Sequence, residues 1–134
     1  MNKLDIYKLQ KEKQILKIGE LSQQVIDLLG LSEKPKNIKI AYDRIAHCNK
    51  NIKDFKNIQS YYKSMELIPE IIKSPDYVGF NSNNNSIEYI KKIDDITLVA
   101  IRLKTNGDLF LRSIYPISES KLNHGILLNR IKKL

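Results

Sequence analysis

Residues 96–115 read ITLVAIRLKTNGDLFLRSIY, two runs of alternating apolar residues on either side of Asn106-Gly107. Asn-Gly strongly favours a two-residue β-turn, because both residues tolerate the positive φ that a type I′ turn requires. We therefore predict a β-hairpin in which residues 96–104 pair with residues 109–115. This hairpin is the best-specified element of the chain.

The predicted turn also fixes which residues face each other, so that Ala100 lies opposite Ser113 and Val99 opposite Ile114. One face is then apolar and should pack against helices; it carries Val99, Ile101, Leu103, Phe110 and Ile114. The other face carries Leu98, Ala100, Arg102, Lys104, Leu109, Leu111, Ser113 and Tyr115.

The second face groups two cations, a hydroxyl and a phenol around the small Ala100. Such a surface could bind a phosphodiester, since Arg and Lys pair with phosphate oxygens and hydroxyls donate to them. A solvated sheet face with ordinary Arg and Lys is the alternative. A register shift of one residue would exchange the two faces.

The rest of the chain contains both helical and strand periods. Gly19 would weaken the first helix, so two helices or a bent one are both open there, and Pro69 could divide a later one. We predict helices over 4–29, from 44 onward, over 57–74 and over 118–133, and strands over 37–42, 77–80 and 87–93.

Composition favours one domain with a basic surface. The chain has 134 residues, 42% of them hydrophobic, and a formal net charge of +8. Nine basic and four acidic residues lie after residue 90, so five of the eight net charges belong to the last third of the chain. A genome rich in Lys codons would explain abundant lysine, whereas a polyanion-binding surface would explain the grouping.

Several classes of protein are not expected. There is no signal-peptide pattern and no apolar run of about 20 residues, so we expect a cytoplasmic protein without membrane contact. Cys48 is the single cysteine and cannot form an intramolecular disulfide. The spacing of His, Asp and Glu matches no metal site, and we expect neither metal nor cofactor.

His47 is the candidate proton-transfer group, because an imidazole titrates close to neutral pH. A structural role for a single helical histidine is the alternative. His124 is a weaker candidate, and Cys48 would point about 100° away from His47 on a helix, which argues against a Cys–His pair.

Four motifs follow one another in a specific order: 43–47 (DRIAH), 68–77 (IPEIIKSPDY), 86–92 (SIEYIKK) and 111–118 (LRSIYPIS). Over roughly residues 37–125 this order resembles the phage-associated barnase–EndoU–colicin–RelE-like (BECR-fold) nuclease domains. The resemblance implies an α+β fold with N-terminal helices packed on a four-stranded antiparallel sheet and a C-terminal helix. Residues 1–36 would form an N-terminal helical extension and residues 37–134 the nuclease domain.

The resemblance also implies metal-independent cleavage of RNA and a set of site residues. The implied catalytic residues are His47, Arg102, Ser113 and Tyr115, and the implied substrate-binding residues are Lys91, Lys104 and Arg112. The hairpin register favours Arg102 over Arg112, because it places Arg102 on the face of Ser113 and Tyr115.

The sequence departs from the family pattern in one place. Asn49-Lys50-Asn51 stands where many relatives carry a second histidine one turn after the first. Either Tyr115 or a lysine supplies the second proton-transfer group, or the chain is inactive as a nuclease.

The leading hypothesis is a hydrolase of phage, mobile-element or toxin type: an endoribonuclease that leaves a 2′,3′-cyclic phosphate. RNA, with tRNA among the candidates, would be its substrate, and an antitoxin or immunity protein its protein partner. The alternative is a catalytically inactive nucleic-acid-binding or protein-interaction module on the same scaffold.

Overall fold

The computed structural model describes residues 3–134. The helices are α1 (Ile6–Lys11), α2 (Gln23–Leu29), α3 (Arg44–Cys48), a 3-10 helix (Asn49–Asp54), α4 (Ile58–Glu66), α5 (Ile68–Lys73) and α6 (Glu119–Leu127). The strands are β1 (Ile15–Leu21), β2 (Lys36–Ala41), β3 (Tyr77–Asn81), β4 (Ser86–Lys92), β5 (Ile96–Arg102), β6 (Leu109–Pro116) and β7 (Ile131–Lys133).

All seven strands lie in one mixed sheet with the order β1-β2-β6-β5-β4-β3-β7. Neighbours are antiparallel except β2 and β6, which run parallel over Ile38–Leu109 and Lys39–Phe110. The fold is therefore α+β, as predicted, but the four-stranded antiparallel sheet is wrong. The sheet is wider because β2 joins it in parallel and because β1 and β7 come from segments that were predicted to be helical.

The predicted helix over residues 4–29 is wrong in its middle. Asp5 and Ser22 each cap a short helix by accepting a backbone N–H, at 3.0 Å from Lys8 N and 3.2 Å from Val25 N. Between these helices β1 pairs with β2, so the predicted helical extension contributes an edge strand to the sheet. Gly30, at φ +65°, ends α2 in the left-handed conformation expected of a helix stop.

The C-terminal helix predicted over residues 118–133 is also too long. It ends at Leu127, the chain reverses through Asn129 at φ +60°, and β7 then pairs with β3.

The helix predicted over residues 57–74 is divided into α4 and α5. Pro69 lies in the first turn of α5, where a backbone N–H would have no hydrogen-bond partner within the helix, so the missing N–H of proline costs nothing there.

The predicted β5–β6 hairpin is present, but its register changes partway along it. Ala100 faces Ser113 and Val99 faces Ile114 as predicted, whereas Ile101 faces Leu111, so Arg112 is an extra residue in β6. The connection spans residues 103–108, and within the predicted Asn-Gly turn only Gly107 has a positive φ, at +75°. The tight two-residue turn is therefore wrong.

This β-bulge at Arg112 exchanges the faces of the residues before it. Leu109 and Leu111, predicted on the polar face, are buried in the main core. Phe110, predicted on the core face, is only half-buried and lies opposite Arg102. The predicted polar face is therefore correct at Ser113 and wrong at the two leucines.

The two faces of the sheet are covered unequally. The main core joins one face to the helices that precede β3, whereas α6 covers only part of the other face through a small cluster that includes Leu122 and Leu98. The remainder of that second face is the open face, and it includes the positions of Arg102 and Phe110 on β5 and β6.

Replacing Gly19 with Ala tests the packing of β1. A Cβ atom there would lie 2.6 Å from Ile72 Cγ2 and 3.2 Å from Ile72 Cβ, so the strand or α5 must shift. We expect Gly19→Ala to lower the free energy of unfolding by about 1–3 kcal/mol in urea titrations. The neighbouring Glu20→Ala, which removes only an exposed ion pair, should change it by less than about 1 kcal/mol. Equal effects of the two substitutions would contradict this packing.

Candidate active site

Side chains of α3 and the 3-10 helix close the outer edge of β6. Beyond Phe110, β2 no longer pairs with β6, and the next carbonyl groups need other donors. Arg44 Nε donates to the carbonyl oxygen of Arg112 at 3.2 Å. Asn51 Nδ2 donates to the Ile114 carbonyl oxygen and to Ser113 Oγ, both at 3.0 Å. These bonds hold α3 and the 3-10 helix against β6.

His47 lies on α3, four residues before Asn51 of the 3-10 helix that directly follows. Burial lowers the pKa of His47 below its ordinary value of 6.5, and the nearby charges of Arg44, Lys50 and Arg112 lower it further. His47 is therefore a half-buried imidazole at the rim of a cationic site. Its proton is held less tightly than that of an exposed histidine.

Cys48, the neighbour of His47, points into the core. Its side chain is fully buried, and burial raises the pKa of the thiol to about 11. The thiolate is thus absent at neutral pH, and Cys48 is not a nucleophile.

Glu88 is a buried carboxylate on the second face of the sheet. It lies on β4 opposite Ala100, which in turn lies opposite Ser113, so the three residues form one row across the sheet. Only 2% of Glu88 is exposed. Burial raises the pKa of Glu88, while the charge of Arg130 and a hydrogen bond from Asn81 oppose that rise. Arg130 Nη1 lies 3.5 Å from Glu88 Oε1.

Tyr115 lies at the boundary between this row and the small core under α6. Burial raises the pKa of its phenol, and the negative charge of Glu88 raises it further, whereas Arg112 and Arg130 lower it. The phenol therefore stays protonated at neutral pH and is available as a hydrogen-bond donor.

A groove of about 600 Å³ lies where β5 ends and β6 begins, beyond one side of this row. Four cations line it: Arg44, Arg102, Lys104 and Arg112. Within residues 3–134 none of these four cations forms an ion pair. Among the described residues that line the groove, Asp43 is the one acidic residue. An unpaired cluster of this kind attracts a polyanion.

The structure places six of the seven predicted site residues around this groove and row. Arg102, Lys104 and Arg112 line the groove, Ser113 and Tyr115 follow along β6, and His47 lies beside Arg112. Lys91 lies elsewhere: its ammonium donates to the Ser74 carbonyl oxygen at 2.7 Å and is 3.6 Å from Asp76 Oδ1, at the C-terminal end of α5.

Arg44, Glu88, Asn51 and Arg130 are residues of the candidate site that were not predicted from the sequence. Glu88 had a visible signal, because a charge between Ile87 and Tyr89 must point to the opposite face of a strand from its apolar neighbours. Asn51 was noted only as a missing histidine, yet its amide holds Ser113. Arg130 gave no signal, since its position depends on a chain reversal that the sequence did not predict.

Comparison with known proteins decides the family. The family model described as phage-Barnase-EndoU-ColicinE5/D-RelE like nuclease3 matches residues 16–124, well over half of the chain. The chain belongs to this nuclease family. The resemblance stated from the motifs is thus confirmed, although the match begins at β1 rather than at residue 37. Searches of curated proteins and of solved structures found no match.

Two further properties concern the described part of the chain. Within residues 3–134 no helix is long and apolar enough to cross a membrane. The same residues contain no group of three His, Cys, Asp or Glu side chains that could hold a metal ion.

Replacing Asn51 tests how the edge of β6 is held. Asn51→Ala leaves the Ile114 carbonyl oxygen without its donor, and an unsatisfied, partly buried group of this kind costs about 1–3 kcal/mol. We expect a corresponding loss in the free energy of unfolding, measured by urea titration. Asn83→Ala, at an exposed turn position, is the control and should leave it unchanged within about 0.5 kcal/mol. Indistinguishable stabilities would show that Asn51 does not secure this edge.

Proposed function

We propose that this protein is an endoribonuclease in which Glu88 is the general base and His47 the general acid. The observation that carries the proposal is that the two groups flank β6. Glu88 lies on β4, across β5 from β6, in contact with the partly exposed Arg130, and His47 lies on α3 at the outer edge of β6. The cationic groove lies at one end of the same strands, and neither group belongs to its lining. Their pKa values are shifted toward each other, one upward and one downward. Such a pair can take and give a proton at mildly acidic pH.

The proposed reaction needs no external nucleophile. The Glu88 carboxylate removes the proton of an RNA 2′-hydroxyl, and the 2′-oxygen attacks the adjacent phosphorus. The bond from phosphorus to the 5′-oxygen breaks, and the His47 imidazolium gives its proton to that leaving oxygen. The products are a 2′,3′-cyclic phosphate and a 5′-hydroxyl. Water then returns the two residues to their starting protonation states.

Charge on the phosphate rises during this attack and needs preorganised donors. Arg112 and Arg102 supply guanidinium groups from β6 and β5, and the Ser113 hydroxyl, which accepts from Asn51, is free to donate its own proton. Arg130 contacts Glu88 on one side and is 40% exposed, so it could contact the same phosphate. We assign no role to Lys91, whose ammonium is already bound at α5.

A second candidate is an RNA-binding module without catalysis. It is favoured by Asn49 and Asn51 at the place of the expected second histidine, because the Asn51 amide already binds β6 and is not free to transfer a proton. Such a module would bind RNA with strong salt dependence and leave it intact.

If the protein is an active nuclease, it would act as a toxin in the cytoplasm, as its phage-linked family suggests. An antitoxin or immunity protein would then be its partner.

The two catalytic roles are tested with matched pairs of substitutions. We expect His47→Gln and Glu88→Gln each to lower kcat on RNA in EDTA by about 10²-fold or more, because each removes one proton-transfer step. His124→Gln and Glu119→Gln, at exposed positions on α6, are the controls and should retain wild-type rates. Full activity of His47→Gln would remove that residue from the mechanism.

The pH dependence follows from the two pKa shifts. Cleavage needs deprotonated Glu88 and protonated His47. The rising limb of kcat/KM should therefore titrate above 4.5, the ordinary value for Glu, and the falling limb below 6.5, the ordinary value for His. We expect an acidic optimum and a loss of activity toward pH 8. A rate that keeps rising through neutrality would contradict the assigned roles.

A further inference from the structure

Phe110 is an aromatic side chain that the sheet turns away from its core. The bulge at Arg112 places Leu109 and Leu111 inside and Phe110 on the open face. Within residues 3–134 Phe110 belongs to neither apolar cluster, and it is only half-buried. Packing of the fold therefore does not account for a large aromatic residue at this position.

Four of the residues that line the groove with Phe110 are cations. Arg102 faces Phe110 on β5, and the Lys104 ammonium lies 5.7 Å from the centre of its ring. Arg44 and Arg112 line the same groove. A half-buried aromatic ring among unpaired cations combines the two contacts by which proteins bind single-stranded nucleic acid, stacking on a base and neutralisation of the flanking phosphates.

The opposite wall of the groove is held in place by the turn before β4. Asn85 Nδ2 donates to the Leu103 carbonyl oxygen at 3.1 Å, and Leu103 N donates to the Asn85 carbonyl oxygen at 2.9 Å. These two bonds fix the ends of β4 and β5 relative to each other. The groove is thus a formed feature of the sheet rather than a gap between mobile loops.

We propose that Phe110 is a base-stacking platform and that the groove binds one unpaired nucleotide next to the phosphate that is cut. The base lies on the Phe110 ring, and Arg102, Lys104 and Arg44 contact the neighbouring phosphates. This inference rests on the proposed nuclease function, and it specifies the substrate as single-stranded RNA. A base inside a duplex has both faces stacked already and cannot occupy the platform.

The binding test separates this platform from catalysis. The probe is a fluorescent 2′-O-methyl single-stranded oligonucleotide, which cannot be cleaved by 2′-hydroxyl attack, and the readout is fluorescence anisotropy. Stacking on an aromatic side chain contributes about 1–3 kcal/mol per base, so we expect Phe110→Leu to weaken binding about 5- to 100-fold. Phe110→Tyr, which keeps the ring, should bind as the wild type does. Tyr7→Leu, at an exposed aromatic on α1, is the control for losing a surface ring and should also be neutral.

An abasic scan gives a readout that misfolding could not imitate. A single abasic nucleotide, moved along the oligonucleotide, should weaken wild-type binding at one position by the same factor as Phe110→Leu. In the Phe110→Leu protein the abasic nucleotide should cause no further loss. The same variant should raise KM for cleavage of single-stranded RNA and leave kcat within about twofold, since stacking contributes equally to ground and transition state.

The proposal is overturned if Phe110→Leu binds the oligonucleotide as tightly as the wild type. It is also overturned if duplex and single strand bind equally well, or if the loss appears equally with polyglutamate, which would mark the groove as a site for an acidic protein. If the wild type binds through Phe110 but never cleaves RNA, the nuclease proposal fails and the stacking platform stands.

Discussion

The bulge at Arg112 is the feature on which the site depends. The two halves of β6 make conflicting demands: Ile114 must enter the main core in one half, and Leu109 and Leu111 in the other. In a regular strand, residue 114 and residues 109 and 111 fall on opposite faces, because side chains alternate. One extra residue resolves the conflict and turns Arg112 and Phe110 toward the open face. Core packing and the composition of the groove are therefore set by the same irregularity.

The second constraint is the unpaired edge of β6. Beyond Phe110 no strand is available on that side, and the carbonyl groups of Arg112 and Ile114 take their donors from Arg44 and Asn51 instead. Both donors come from the segment that carries His47. Satisfying the backbone of the sheet thus fixes the segment that carries the imidazole against the outer edge of β6. Burial of Glu88 is unfavourable for its charged form, and this raises the pKa of the carboxylate that the proposed mechanism uses as a base.

The sequence predicts a helix or a strand correctly where the apolar residues follow one clear periodicity. It fails where pairing with a distant segment determines the secondary structure. The two strands of the 96–115 hairpin follow from alternation, and the stop at Gly30 follows from helix-end chemistry. The Ala100–Ser113 register agrees with the prediction because the extra residue at Arg112 compensates for a one-residue shift next to the connection. Residues 15–21 carry apolar residues compatible with a helix as well as a strand, and pairing with β2 decides between them. The three-residue β7 is too short to show an alternating pattern, and it forms because β3 offers a free edge.

The bulge at Arg112 could not be predicted from the neighbouring residues. It forms because apolar residues at both ends of β6 must enter the same core. Of the candidate site, the hairpin cations and His47 are positions that the sequence proposes, whereas Arg130 is not.

The account stands on attack by the 2′-hydroxyl of RNA, assisted by Glu88. The most direct measurement uses a single-stranded RNA oligonucleotide with one 2′-deoxy nucleotide at a bond that the protein cuts, followed by mass spectrometry of the fragments. The account predicts that this bond alone becomes resistant, while neighbouring bonds still yield fragments ending in a 2′,3′-cyclic phosphate. Cleavage at the 2′-deoxy position at the normal rate, with 5′-phosphate and 3′-hydroxyl ends, would contradict it.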